Sequence, residues 1–170
     1  KNISLLAEAK NTTPEKLTAC VLDRPRHNNI INSLKKLKVN VNFISDGDVS
    51  GAISVIDKNS ENDIYIGTGG GPEGVLAAAA LICLGGQMQT RLVLDEKQGY
   101  RAKKLGHSDL KKKFNIDEMV KGDVIFCATA VTDGDLVKGI VDNQDSFQAS
   151  TFVLHKDLKI NKKIINTHKK

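Results

Sequence analysis

A short apolar run, Ile64-Tyr65-Ile66, leads into Gly67-Thr68-Gly69-Gly70-Gly71-Pro72-Glu73-Gly74, and an alanine-rich apolar run, Val75 to Leu84, follows. This succession of strand, glycine loop and helix constrains the chain more than any other stretch. Five glycines in eight residues let backbone N–H groups approach a ligand that a Cβ would block. Pro72 suits the first helical position, so the helix is predicted to begin there. A helix N-terminus behind a glycine loop favours an anion. Glu73 is the odd residue. The helix dipole stabilises a carboxylate in the first turn, yet that carboxylate repels a bound phosphate. A divalent cation between them reconciles the two, because hard cations take carboxylate and phosphate oxygens together. The loop therefore predicts a metal-assisted phosphate site.

The same succession recurs upstream. Leu17 to Leu22 reads as a buried strand ending in Asp23-Arg24-Pro25-Arg26-His27, with Ile30, Ile31, Leu34 and Leu37 then at helical spacing. Val39, Val41 and Phe43 alternate with Asn40 and Asn42 as a strand, which ends at Ser45-Asp46-Gly47-Asp48 before a short helix over 49–56. Three strand–tip–helix units predict a largely parallel sheet with helices packed on it. In such sheets ligands sit at the carboxyl ends of the strands, so the three polar tips are predicted to face one side. Ile3 to Ala9 reads as a further helix, 88–94 as a fourth strand, and 95–122 as basic surface helices and loops. A buried strand over 123–131 and a hairpin over 150–154 and 158–165 follow, with a frayed basic end at 166–170.

Composition excludes several classes. At 170 residues and 40% hydrophobic content there is room for one domain with an aliphatic core. The net charge of +5 suits anionic ligands. With only 4% aromatics and no Trp, the basic residues lack the stacking partners of a nucleic-acid surface. No run is long enough for a membrane span. Cys20, Cys83 and Cys127 match no zinc spacing and all fall in apolar elements, so they read as buried thiols of a reducing compartment. The chain begins at Lys1, which suggests a fragment or a processed product.

Each tip has a plainer reading. Gly69-x-Gly71-x-x-Gly74, with Asp95 about twenty residues on, matches a dinucleotide fingerprint. A Rossmann-like NAD- or nucleotide-binding domain is therefore an alternative, although Glu73 would face the pyrophosphate. Asp46 to Gly51 matches half an EF-hand loop, but Asp57 stands at its twelfth position and a strand precedes it. A turn with an N-cap needs only one Asp, which leaves the other carboxylate for sugar hydroxyls. Arg24 and Arg26, held by Pro25, offer forked donors suited to phosphate or form a solvated turn. His27 reads as a helix-start residue. Asp133 and Asp135 repeat the spacing but read as a turn or cap.

LDRPRH at 22–27, ISDGDVSGAI at 44–53, GTGGGPEGVLAAAALICLGGQMQTRL at 67–92 and ATAVTDGDLVKG at 128–139 resemble the class II fructose-1,6-bisphosphatases, some of which also hydrolyse sedoheptulose-1,7-bisphosphate. The resemblance implies a layered α/β sugar-phosphatase fold, with a mostly parallel or mixed sheet and helices on its faces. It implies an Mn²⁺- or Mg²⁺-dependent enzyme of gluconeogenesis that removes the 1-phosphate by attack of an activated water, in the cytoplasm or an organelle. By the same resemblance Glu73 would be a metal ligand and Gly70 a phosphate-side backbone contact. Arg24, Pro25 and Arg26 would hold the far phosphate and sugar, and Asp46, Gly47 and Asp48 would contact the sugar. No catalytic residue of its own is expected in this chain.

This sequence departs from the family in having Gly71 where Ala is usual and Ala130 where Gly is usual. At 155–158 it reads His-Lys-Asp-Leu where the family has a Ser/Gly/Arg-rich run. Members also carry an N-terminal half that supplies most metal-binding carboxylates. The resemblance thus implies that residues 1–170 are the C-terminal half only, inactive alone, prone to self-association, and part of a homo-oligomer in the full enzyme. A non-catalytic sugar-phosphate-binding module is a second alternative.

Overall fold

The computed structural model describes all 170 residues. Helix α1 (Asn2–Ala9) leads to β1 (Thr18–Leu22), and α2 (Asn28–Lys36) to β2 (Asn40–Ile44). Helix α3 (Asp48–Ser54) then precedes β3 (Ile64–Tyr65) and the long helix α4 (Gly71–Leu84). The three strands form a parallel sheet in the order β2-β1-β3, in register from Thr18 opposite Asn40 and Ala19 opposite Ile64. Parallel neighbours require crossovers, and the helices supply them. Because all three strands run the same way, their carboxyl ends share one edge, as the three tips predicted.

Alternation along the central strand sorts its side chains. Ala19 and Val21 pack with Ile3, Ala7, Ile31 and Leu34 beneath α1 and α2. On the opposite face α3 packs close, and a Cβ at Gly51 would lie 2.7 Å from Ile44 and 2.9 Å from Tyr65. Helix α4 lies beside α3, joined through Ala52, Ala77, Ala78 and Leu81. From Ala77 onwards it is apolar on every side because it is covered on both. Its far side, with Ile53 of α3, meets Phe126, Phe152 and Leu154 of a second sheet. The layers therefore run helices, parallel sheet, helices, antiparallel sheet, an α/β fold as expected, with mixed rather than mainly parallel strands.

The second sheet is built on β8 (Ser146–His155). One edge of β8 pairs with β6 (Ile125–Thr129) and β7 (Val141–Asp142), and its other edge pairs along its whole length with β9 (Ile160–Lys169). The predicted hairpin is present, but the frayed end is not: Asn166 to Lys169 pair with Ser146 to Ala149. Backbone hydrogen bonds hold these polar residues, and hydropathy gives no sign of them. The fourth predicted strand is only β4 (Gln89–Arg91), antiparallel to β5 (Lys113–Asn115) in a separate ribbon flanked by α5 (Glu96–Lys104) and α6 (Ile116–Met119). Of the thiols, only Cys20 is fully buried. Cys127 is exposed because β6 points Phe126 inwards and the next residue outwards. No helix is long and apolar enough to cross a membrane.

Between β6 and β7 the chain leaves the sheet and returns. Ile140 N–H donates to Val131 C=O at 3.1 Å, and Gly139 N–H donates to the Asp133 carboxylate at 2.9 Å. Asp133 is thus a loop cap. A Cβ at Gly139 would lie 2.5 Å from the Thr132 carbonyl carbon and 2.7 Å from Asp133 N, both backbone atoms that cannot swing aside. At Gly71 a Cβ would meet open space, so alanine is accommodated there. Gly139→Ala is expected to destabilise by about 1–3 kcal/mol through overpacking. Gly71→Ala, in a helix, is expected to be neutral or stabilising by up to about 1 kcal/mol. Urea unfolding midpoints check both, and equal midpoints for the two variants would contradict this packing.

Candidate active site

At the shared carboxyl edge a pocket of about 340 Å³ is lined by Arg26, Asp46, Gly47, Asp48, Val49, Gly69, Gly70 and Glu73. Residues of all three tips meet there. Asp46 follows β2, and its carboxylate accepts from Gly47 N–H at 2.9 Å. Gly47 adopts φ +89°, a left-handed conformation that disfavours a side chain, and serves as the N-cap of α3. Its carbonyl accepts the Ser50 hydroxyl at 2.9 Å. The cap is therefore made by backbone, and neither aspartate is used for it. Asp48 sits in the first turn of α3, where the dipole favours a carboxylate.

The glycine loop lies against these groups. A Cβ at Gly69 would come within 2.7 Å of the Asp48 Oδ2, and one at Gly70 would overlap the Glu73 Oε2. Gly70 itself has an ordinary extended conformation, φ −69° and ψ 151°. The sequence reading asked for glycine so that backbone could approach a ligand. In the structure the bare Cα atoms first admit two carboxylates. Glu73 occupies the first turn of α4, which begins at Gly71 with Pro72 as its second residue.

Arg26 closes the third side. Its Nε donates to Thr68 C=O at 2.6 Å, and it forms no salt bridge. The rest of its guanidinium fork is left for an anion. Arg24 does not join it: its Nη1 turns back to Asp23 C=O at 2.9 Å, and neither Arg24 nor Pro25 lines the pocket. Residues 25–27 form a single 3₁₀ turn that starts on the proline, so Arg24 and Arg26 leave it in different directions.

Three residues that the sequence reading left unused frame the pocket. His27 is fully buried, with Nδ1 2.8 Å from Leu22 C=O and Nε2 2.9 Å from Thr68 N. Thr68 carries both loop contacts on its backbone. Tyr65, at the end of β3, places its hydroxyl 3.1 Å from where a Gly67 Cβ would stand. Burial and the Asp48 charge push its phenol up to about 12, with the Arg26 charge opposing. Only the histidine gave a signal, a titratable residue beside an arginine pair. Thr68 is defined by contacts with His27 and Arg26, 41 and 42 residues away, and Tyr65 by its packing against Gly51 and Gly67.

Chemically the pocket combines three carboxylates with one arginine. No three ligating side chains come together as a metal cluster. Glu73 stands over the N-terminus of α4, where its carboxylate opposes a pyrophosphate.

Known proteins are similar to this chain in sequence. The family described as bacterial fructose-1,6-bisphosphatase, glpX-encoded, matches residues 1–168. The D-fructose 1,6-bisphosphatase class 2/sedoheptulose 1,7-bisphosphatase of Synechococcus sp. (strain JA-3-3Ab) is 35% identical over 154 residues, covering 82% of this chain and 44% of the relative. The protein of the same description from Trichodesmium erythraeum (strain IMS101) is 34% identical, covering 82% and 45%. The chain thus spans less than half the length of these relatives. With a match running nearly end to end, it belongs to the glpX-type bacterial fructose-1,6-bisphosphatase family.

Proposed function

We propose that this chain is the substrate-binding, metal-completing half of a cytoplasmic sugar bisphosphatase, which removes the 1-phosphate of fructose 1,6-bisphosphate. The observation that carries this reading is the meeting of Arg26, Asp46, Asp48 and Glu73 around one pocket at the carboxyl ends of parallel strands. The reaction is hydrolysis: a water oxygen bonds to phosphorus, the bond from phosphorus to the C1 oxygen breaks, and that oxygen takes up a proton. Sugar monophosphate and inorganic phosphate leave.

Each residue has a part in this scheme. Arg26 keeps free N–H donors for a phosphate and orients the sugar through it. Asp46 and Asp48, acceptor-only when ionised, accept hydrogen bonds from sugar hydroxyls. Gly70, bare on the loop, lets its backbone reach the phosphate. Arg24 and Pro25, outside the pocket, shape the turn that presents Arg26. Glu73 fits a divalent cation such as Mn²⁺ or Mg²⁺ by its hard oxygens. One carboxylate does not complete a coordination shell, so the remaining ligands would come from a further segment of the protein. A bound cation would supply charge neutralisation for the phosphoryl group and acidify water. Val75 and Leu76, just after Glu73 on α4, are 48% and 51% exposed. That apolar surface beside the pocket supports a covering partner segment, and the family's relatives are more than twice this chain's matched length.

The 170-residue chain alone is therefore expected to release no phosphate from fructose 1,6-bisphosphate. Release by a pure preparation at a rate comparable with a complete family member would overturn the half-site reading. In the full-length protein, Glu73→Gln should lower kcat by on the order of a hundredfold, as expected for a lost charge-stabilising group, while leaving the unfolding midpoint unchanged. Wild-type turnover would refute its metal role. Arg26→Ala should raise KM by about tenfold to a hundredfold, the worth of a charged hydrogen bond. An unchanged KM would place the phosphate elsewhere.

A further inference from the structure

We propose that His27 is a positioning residue: through one acceptor nitrogen it holds residue 68 and so sets the glycine loop against the arginine loop. The kinetic side of this role rests on the bisphosphatase reading; the lock itself does not.

For a neutral ring, the hydrogen-bond inventory fixes the tautomer. His27 is the one fully buried polar side chain of the core, so both nitrogens need partners. Nδ1 lies 2.8 Å from Leu22 C=O. A carbonyl only accepts, so Nδ1 carries the hydrogen. In the neutral ring Nε2 is then an acceptor, and Thr68 N–H donates to it at 2.9 Å. Thr68 C=O also lies 3.1 Å from Nε2, an approach of two lone-pair atoms. The Arg26 Nε relieves it by donating to that same oxygen at 2.6 Å. Adjacent residues of one loop thus hold both backbone polar atoms of one residue in another.

The consequences run in both directions. Leu22 ends the central strand, so its carbonyl anchors the imidazole to the rigid sheet. The imidazole sets residue 68, from which Gly69 and Gly70 are launched towards Asp48 and Glu73. The carbonyl of residue 68 in turn fixes the Arg26 guanidinium by its Nε, leaving the outer fork to the pocket. The far-phosphate donor and the metal-side carboxylate are thereby held at one separation, although 47 positions part Arg26 from Glu73 in sequence. Site geometry of this kind depends on groups that lock the contacting residues in place.

Two amide substitutions separate this role from mere core filling. In His27→Gln the amide oxygen reaches the place of Nε2 and can accept from Thr68 N–H. In His27→Asn the amide reaches only the place of Nδ1, keeping the Leu22 bond and losing the Thr68 bond. On ¹⁵N-labelled protein, hydrogen exchange at the Thr68 amide should quicken by about fivefold to tenfold in Asn, one ordinary hydrogen bond's worth, and stay near wild type in Gln. In wild type the Nε2 resonance should be that of an unprotonated nitrogen. In the full-length protein, Asn should raise KM for fructose 1,6-bisphosphate and lower kcat together, and Gln should restore both. A protonated Nε2, equal exchange in Asn and Gln, or kinetics per folded molecule that are the same in both would overturn the proposal. If wild type shows no activity, the bisphosphatase reading fails, and exchange and the Nε2 resonance alone decide the lock.

Discussion

Two carboxylates close over one stretch of glycine backbone, and the rest of the site depends on that crowding. Asp48 stands against Gly69 and Glu73 against Gly70, at the start of α4. The helix dipole and the exposed N–H groups favour negative charge there, but carboxylates already supply it. A second anion can enter only with a positive charge to bridge the two. Arg26 is the one cationic side chain lining the pocket, and its Nε is already engaged by Thr68. Three carboxylates against one guanidinium leave the pocket lining with an excess of negative charge.

The fold brings these groups together by direction alone. Three parallel strands end on one edge, and in the turns after β2 and β3 glycines at 47, 69 and 70 stand where a Cβ would clash. The apolar layers behind the edge, α3 and α4 between two sheets, hold it rigid. The antiparallel sheet makes no contribution to the pocket lining. Its part is to bury the far side of α4, the helix that carries Glu73.

What the sequence revealed follows from how local each signal was. Strand, turn and helix alternate within short windows, so the parallel sheet and the convergence of its tips were legible from Leu17 to Leu84. Asp46, Asp48, Arg26 and Glu73, each singled out in its own tip, line one pocket. Arg24 was not separable from Arg26, since the direction in which each leaves the 3₁₀ turn is a matter of three dimensions. Cys127 looked buried because β6 is apolar on both faces. Asn166 to Lys169 looked frayed because strand pairing with Ser146 to Ala149 is set by backbone groups that every polar residue shares. His27 and Thr68 meet across 41 residues, a distance over which hydropathy carries no information.

The central claim is that carboxylate and phosphate share this pocket through a divalent cation. Calorimetric titration of fructose 1,6-bisphosphate into the full-length protein, with and without Mn²⁺, tests it most directly. The two ligands should bind cooperatively, each tightening the other by the same factor, as linkage requires, and the coupling should vanish in Glu73→Ala. Equal affinity with and without the cation, or coupling that survives loss of Glu73, would contradict it.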